Sequence, residues 1–359
     1  MKTKVLHVYP QLNCGGTEMV FYNLIKFSNK EKFDYTILTQ ASGNNEDIFI
    51  DLGVKIERIP LKNKKQYYIS LLNYFRRETF DVVHVHTHAQ LSLILKAAME
   101  MGIKCRVAHS HTARIDIPQR VWPLLYFIHH PNEKYASILL GCSNLALKWL
   151  FPTSWPKGQI LHNGIDLNKF KFDASIRSKI RKENSIPETT KIIINVGRCS
   201  QEKNQKYILD LANHRLDKDE LYVIIGDGPL LAELKYYKEL HQINNVRLLG
   251  TRTDVSDWLN ASDIFLFPSI YEGLGIAAIE AQATGLIVLA TDTIPSEANM
   301  QLGTFHRIAL NDRQKWYSLL NQNPLDNNKR DEISNKALSS EYNITKVIEQ
   351  LELIYTNNS

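Results

Sequence analysis

A chain of 359 residues is about twice the usual single-domain length, which excludes a small module and predicts two domains. Its 44% hydrophobic and 23% charged residues exclude a disordered tail or a fibre, and no apolar run reaches the roughly 18 residues that span a bilayer. The net charge of +5 is uneven, with residues 1–166 carrying +7 and the remainder −2, so the front half favours an anionic partner: a phosphorylated substrate or an acidic membrane face. Nucleic acid is not expected, because no binding motif accompanies the charge. The apolar stretch at the N-terminus is too short for a signal peptide, which predicts a cytoplasmic protein.

Short Val/Ile-rich runs alternate with segments of helical period, the pattern of parallel sheets covered by helices. The first series has strands predicted at Lys4 to Tyr9, Tyr35 to Thr39, Val82 to His86, Cys105 to Ser110, Ser137 to Gly141 and Gln159 to His162. Helices are predicted at Glu18 to Phe27, Ser70 to Arg77 and Leu91 to Met101. A polar stretch containing Pro187 follows and reads as a linker over residues 166–190. The second series has strands at Ile192 to Val196, Tyr222 to Ile225, Val246 to Leu249, Ile264 to Phe267 and Ile287 to Ala290. Its helices fall near Gln205 to Asn213, Leu230 to His241, Val255 to Asn260 and Leu274 to Ala283. The fold class is therefore α/β, with doubly wound parallel-sheet domains over 1–165 and 191–342 facing across a cleft. A last helix, Thr345 to Tyr355, has no strand after it and is expected to cross back, adding about 343–359 to the first domain.

Five constellations carry chemistry. The first strand runs into Cys14-Gly15-Gly16-Thr17-Glu18 and a helix. Adjacent glycines there let backbone amides approach an anion at the positive end of the helix, the alternative being a tight turn with Thr17 as N-cap. In Val196-Gly197-Arg198-Cys199-Ser200-Gln201-Glu202-Lys203-Asn204, Arg198 follows a strand and Lys203 opens a helix. Two cations so placed stabilise a departing diphosphate without a metal, the alternative being solvated side chains. Gly226-Asp227-Gly228-Pro229 marks a close backbone approach.

The run from Glu272 to Glu280 puts a carboxylate at a glycine-bearing turn and a second one eight positions on, in a helix. Carboxylates hydrogen-bond vicinal hydroxyls, so the pair suits a nucleotide sugar; helix-dipole partnership and solvation are the plain alternative. Finally, nine of the twelve histidines, His7, His84, His86, His88, His109, His111, His129, His130 and His162, lie in the first 166 residues. Their alternation puts each set on one strand face, but with no carboxylate or Cys in ligand spacing a hydroxyl-rich ligand is expected rather than a metal. Cys14, Cys105, Cys142 and Cys199 are too dispersed for a zinc site or a disulfide framework.

Together with Val83-His84-Val85-His86, Ala108-His109-Ser110-His111-Thr112, Gly141-Cys142-Ser143 and Asn163-Gly164-Ile165-Asp166, these pieces resemble glycosyltransferase family 4, retaining nucleotide-sugar transferases of GT-B fold. The resemblance spans nearly the whole chain and is nearest to the branch that builds bacterial capsular and exopolysaccharides. It implies two Rossmann-like domains, and catalytic roles for Arg198, Lys203, Glu272 and His111. Arg198 and Lys203 would bind the donor diphosphate, and the amide of Gly16, with Gly15 beside it, would join them.

Glu272 and the amides of Gly273, Leu274, Gly275 and Ile276 would hold the sugar, and Glu280 the ribose. The base would lie near Arg252, with Gly228 lining the donor site, and His109 and Asn163 would meet the acceptor. No cofactor and no metal is implied. The function implied is transfer of a hexosyl or N-acetylhexosaminyl unit from a nucleotide sugar, a UDP-sugar, to a lipid-linked glycan. A GT-B nucleotide-sugar epimerase and a non-catalytic nucleotide-sugar binder are the alternatives. Two positions depart from the family pattern: Leu274 stands where many relatives have Phe, and Asn204 where many have Gly. The apolar run from Gln119 to His130 is expected either to touch an anionic membrane peripherally, receiving a polyprenyl-linked acceptor, or to be plain core.

Overall fold

The computed structural model describes residues 2–13, 16–86, 90–112, 133–216 and 218–358. Gly15, Cys14, His88, His129, His130 and the 119–130 run lie outside the described residues. The chain forms two compact units, Met1–Ile165 with Glu341–Ser359, and Asp166–Ser340.

The first unit follows the chain as β1 (Thr3–Val8), α1 (Gly16–Phe27), β2 (Phe33–Thr39), α2 (Glu46–Ile50), β3 (Lys55–Arg58), α3 (Lys64–Arg77), β4 (Val82–Val85), α4 (Leu91–Glu100), β5 (Cys105–Ser110), β6 (Ile138–Gly141), α5 (Asn144–Leu150) and β7 (Gln159–Ile160). The second comprises α6 (Ala174–Glu183), β8 (Lys191–Val196), α7 (Gln205–Asn213), β9 (Glu220–Ile225), α8 (Leu231–Leu240), β10 (Val246–Gly250), α9 (Val255–Ala261), β11 (Ile264–Phe267), α10 (Ile276–Ala283), β12 (Ile287–Thr291), β13 (Phe305–Ile308), α11 (Arg313–Leu320) and α12 (Asn327–Ala337). The last helix, α13 (Ile344–Asn358), returns to the first unit and packs on α1.

The described strands of each unit form one parallel sheet. The seven-stranded order is β3-β2-β1-β4-β5-β6-β7 and the six-stranded order is β10-β9-β8-β11-β12-β13. Central strands are buried on both faces, as the uninterrupted Ile-Phe-Leu-Phe of β11 requires. Strand order reverses between β1 and β4 in one sheet and between β8 and β11 in the other. Crossovers leave to opposite faces at such a point, opening a crevice beyond the carboxyl ends of the two strands. The histidine-bearing ends of β1 and β4, and the segments carrying Arg198 and Glu272, all lie at these points.

Three readings of the sequence are corrected. Residues 166–190 are not an open linker: they hold α6, capped by Asp173 and buried at Ile180 and Arg181. Arg181 is stabilised there by Asp263 at 2.8 Å and by the carbonyls of Ala261 and Thr190. The edge strands β3 and β13 went unpredicted, because Lys-Ile-Glu-Arg and Phe-His-Arg-Ile read as polar. Thr17 is not an N-cap, since α1 begins one residue before it and its hydroxyl donates to Glu18. Among the described residues no helix is long and apolar enough to cross a membrane, and Cys105, Cys142 and Cys199 are buried.

Candidate active site

In the second unit the segment after β8 is shaped by its neighbours. Gly197 N donates to Ile225 O and Cys199 N to Asp227 O, both at 2.9 Å, which zips it to the turn after β9. That contact needs glycines: a Cβ on Gly226 would lie 1.9 Å from Gly197 O, and one on Gly228 2.5 Å from Cys199 O. Both residues also take positive φ, at 146° and 156°. The buried Gln205, at the start of α7, donates through Nε2 to Arg198 O at 2.9 Å.

A short turn, Gln201–Lys203, then ends in Asn204, which adopts a left-handed φ of 54°. Asn is among the few non-glycine residues that visit that conformation, which fits a position where the family pattern has glycine. Lys203 is thus not inside the helix but on the turn before it. Asn204 Nδ2 donates to Pro268 O at 3.2 Å and Ile270 N to Glu202 O at 2.8 Å, tying this turn to the segment after β11.

These ties decide the charge arrangement. Lys203 Nζ donates to Glu272 Oε1 at 2.5 Å, and both side chains are largely buried, 23% and 11% exposed. The sequence predicts two cations offered to a ligand; the structure brings Lys203 to Glu272 instead and leaves Arg198 exposed. No hydrogen bond or ion pair holds the Arg198 guanidinium among the described residues. Glu272 therefore carries a counter-ion of its own. Gly275, at φ 95°, caps α10 directly over the Phe267 ring, where a Cβ would come within 2.8 Å. Leu274 turns its side chain into the core.

On α10, Glu280 is half-buried, and desolvation raises its carboxyl to about 7 against the opposing charge of Lys169. Arg252, expected near the base, is bound bidentately by Asp254 at 2.8 and 2.6 Å.

In the first unit the parallel register sets His7 beside His84, and the alternation predicted from sequence places His84, His86, His109 and His111 on the same side. The rings of His84 and His86 stack with centroids 4.2 Å apart, and those of His109 and His111 lie tilted at 4.0 Å. Two hydrogen-bonded rows result. In one, Tyr355 Oη meets His84 Nδ1 at 2.6 Å and His84 Nε2 meets His109 Nδ1 at 3.1 Å. In the other, His7 Nδ1 meets His86 Nε2 at 2.9 Å and His86 Nδ1 meets His111 Nε2 at 2.8 Å. Burial lowers His7 to about 3 and holds His84 and His86 well below the usual imidazole range, so all three are neutral at pH 7.

His7, His84 and His86, and again His86, His109 and His111, bring ring nitrogens within 4.8 Å of one another, a spacing a soft divalent cation accepts. Neither group contains a carboxylate or thiolate to offset the ion's charge, and imidazole–imidazole bonds already account for the geometry. Gly16 opens α1 and is exposed, while Asn163 is 2% exposed with no hydrogen-bond partner for its Oδ1 among the described residues. Sequence reasoning missed Tyr355 and Gln205. Only a polar residue on an apolar helix face signalled Gln205, and nothing local signalled Tyr355.

Two family descriptions match this chain: Glycosyltransferase Family 4 over residues 14–169 and Glycosyl transferases group 1 over 176–301, together well over half of it. The chain belongs to glycosyltransferase family 4. Among relatives of this glycosyltransferase, the Escherichia coli UDP-Gal:alpha-D-GlcNAc-diphosphoundecaprenol alpha-1,3-galactosyltransferase is 28% identical over 79% of this chain and 78% of its own length. The Staphylococcus aureus capsular polysaccharide biosynthesis glycosyltransferase CapH is 24% identical over 80% of this chain and 81% of its own. The crystal structure of Anabaena Alr3699/HepE in complex with UDP-glucose superposes with a TM-score of 0.80 at 19% identity, covering 99% of each chain. That likeness places this glycosyltransferase in the GT-B fold.

Proposed function

We propose that this glycosyltransferase moves a hexosyl or N-acetylhexosaminyl unit from a UDP-sugar to a hydroxyl of a growing, lipid-linked capsular or exopolysaccharide, with retention at the anomeric carbon. The observation that carries the reading is the grouping of Arg198, Lys203 and Glu272 beyond β8 and β11, at the switch point of the second sheet. A diphosphate arriving there meets an exposed guanidinium and draws Lys203 away from Glu272. The freed carboxylate then takes sugar hydroxyls, together with the backbone of Gly273 to Ile276, while Glu280 takes the ribose.

The anomeric C–O bond to the diphosphate breaks as the acceptor oxygen bonds the same carbon on the same face, and the acceptor's proton passes to the leaving phosphate. Charge builds on that phosphate, so Arg198 and Lys203 supply the main catalytic stabilisation with no cofactor or metal assigned. Gly16 adds an amide, His111 contacts the sugar, and His109 and Asn163 face the acceptor. A UDP donor is favoured by HepE's complex and by the name of the E. coli relative, which also supports a diphosphoprenyl acceptor. CapH supports a capsular product. The basic first half would hold the protein against an anionic cytoplasmic membrane face, and failure to co-sediment with anionic vesicles removes that part.

The test is a screen of UDP-, GDP- and ADP-sugars with diphosphoprenyl-glycan acceptors, reading nucleotide release and product anomer. UDP release that requires the acceptor and gives a retained anomer is expected. Turnover confined to GDP- or ADP-sugars, or an inverted product, overturns the corresponding part. UDP and an altered free sugar without acceptor would mean an epimerase.

A further inference from the structure

Arg198 is held by its own carbonyl, and the group that holds it comes from α7. The β8–β11 ladder ends at Ile194 and Phe265, while β8 goes on pairing with β9 to Val196. Towards the turn after β9 the backbone continues to bond, through Gly197 N, Cys199 N and Cys199 O, the last accepting from Leu230 N at 3.0 Å. Beyond the end of the β11 ladder, side-chain amides take over. Asn195 Nδ2 donates to Leu266 O at 2.8 Å, and Gln205 Nε2 donates to Arg198 O at 2.9 Å with Gly197 O beside it at 3.5 Å. Ser200 Oγ also lies 3.3 Å from Arg198 O, but its one proton goes to the Glu202 carboxylate at 2.6 Å, the shorter and charge-assisted contact. Gln205 is therefore the donor that secures this carbonyl.

Packing does not explain a glutamine at this position. It is 1% exposed at the start of α7, whose other buried residues are Ile208, Leu209, Leu211 and Ala212. Its Oε1 is buried with no hydrogen-bond partner among the described residues. Burying a carboxamide that uses only one end costs stability, and an apolar side chain of the same length avoids that cost. What the glutamine supplies is the bond to Arg198 O, which an apolar residue cannot make.

We propose that Gln205 is a positioning residue: by gripping the carbonyl of Arg198 it fixes the backbone from which the guanidinium extends, so that the cation is in place before charge develops on a leaving group. Preorganisation of this kind lowers the barrier more than it tightens ground-state binding. That Arg198 stabilises a leaving diphosphate rests on the function proposed above; the hold of Gln205 on Arg198 does not.

The test places Gln205→Met, which keeps the length of the side chain and removes the donor, in two backgrounds of the full-length enzyme. With Arg198 present, kcat for acceptor-dependent nucleotide release is expected to fall about tenfold, while the KM for the donor changes by less than about twofold. In an Arg198→Ala background the same change is expected to lower kcat no further, because the group it positions is gone. An unchanged kcat in Gln205→Met, or an equal fall in both backgrounds, overturns the positioning role. A second measurement needs neither variant nor substrate. In the unaltered protein labelled with nitrogen-15 in its glutamine side chains, the Nε2 protons of Gln205 are expected to exchange with solvent at least about tenfold more slowly than those of the exposed Gln66. Equal rates mean that the amide is not held on Arg198 O and overturn the proposal. If Gln205→Met does not fold, this exchange measurement decides. Because it is read without donor or acceptor, its failure counts against the contact alone, whereas absent nucleotide release in the unaltered enzyme counts against the transferase reaction.

Discussion

Arg198 and Lys203 carry the same formal charge and face opposite situations. Lys203 is committed to Glu272 at 2.5 Å, and removing its ammonium strands a carboxylate that is only 11% exposed. Arg198 has no such partner among the described residues, so its removal strands nothing. Both substitutions to Ala are expected to slow turnover by roughly 100- to 1,000-fold, the usual cost of losing a group that stabilises developing negative charge. Their effects on stability should differ. Arg198→Ala is expected to change unfolding free energy by less than about 0.5 kcal/mol, and Lys203→Ala to lower it by about 1–2 kcal/mol. Denaturant titration beside a nucleotide-release assay separates the two, and full turnover in either variant removes the leaving-group role.

Glu280 supplies a pH dependence at the same scale. Its carboxyl is raised to about 7 in the fold from 4.5, so the folded state keeps a proton that the unfolded chain has lost between those values. Stability from this group therefore falls as pH rises through that window. Hydroxyl binding favours the ionised form, so donor affinity is expected to rise with pH through about 7. Glu280→Gln should flatten that rise and weaken binding, as read by calorimetric titration at a series of pH values. A slope that survives in the variant excludes Glu280 as its source.

Between elements, the turns after β8 and β9 interlock with no room for a side chain. Gly226→Ala would drive a methyl into Gly197 O, 1.9 Å from where the Cβ must sit, and displace the segment that carries Arg198. A loss of about 2 kcal/mol or more is expected, with donor binding lost too. Gly250, at φ 67°, has nothing within 4 Å of its Cβ position. Gly250→Ala should then cost only the left-handed backbone penalty of about 1–2 kcal/mol and leave activity intact. Equal losses of activity in the two variants would show that interlocking is not what matters.

The same scale explains where pattern reading succeeded and failed. β11 and β12 are uniformly buried, apolar but for Thr291, and were legible, whereas β3 and β13 are edges with one polar face. Helix α6 has few apolar residues and one buried arginine, whose burial is made tolerable by Asp263 and backbone carbonyls that no local pattern announces.

Over the whole molecule, the buried imidazoles make the first unit sensitive to acid. His7 is held at about 3, and His84 and His86 also lie far below the 6.5 of the unfolded chain. As pH falls below about 6.5 the unfolded chain takes up protons that the folded rings refuse, so stability falls with pH across that range. Thermal unfolding is expected to weaken between about pH 6.5 and 4, with amide exchange rising first in β1, β4 and β5. Protection in those strands that holds to about pH 4 would mean the rings charge without penalty.

From its amino acids alone the chain is committed to two parallel α/β sheets, to glycine-bearing turns at their strand ends and to the order of its cations and carboxylates, because each of these is written in residues a few positions apart. The pairing of Lys203 with Glu272, the convergence of histidines from three strands and the return of α13 to place Tyr355 against His84 are contacts between distant stretches. Such contacts exist only once the strands have found their neighbours, since burial and register, rather than local propensity, bring those groups together.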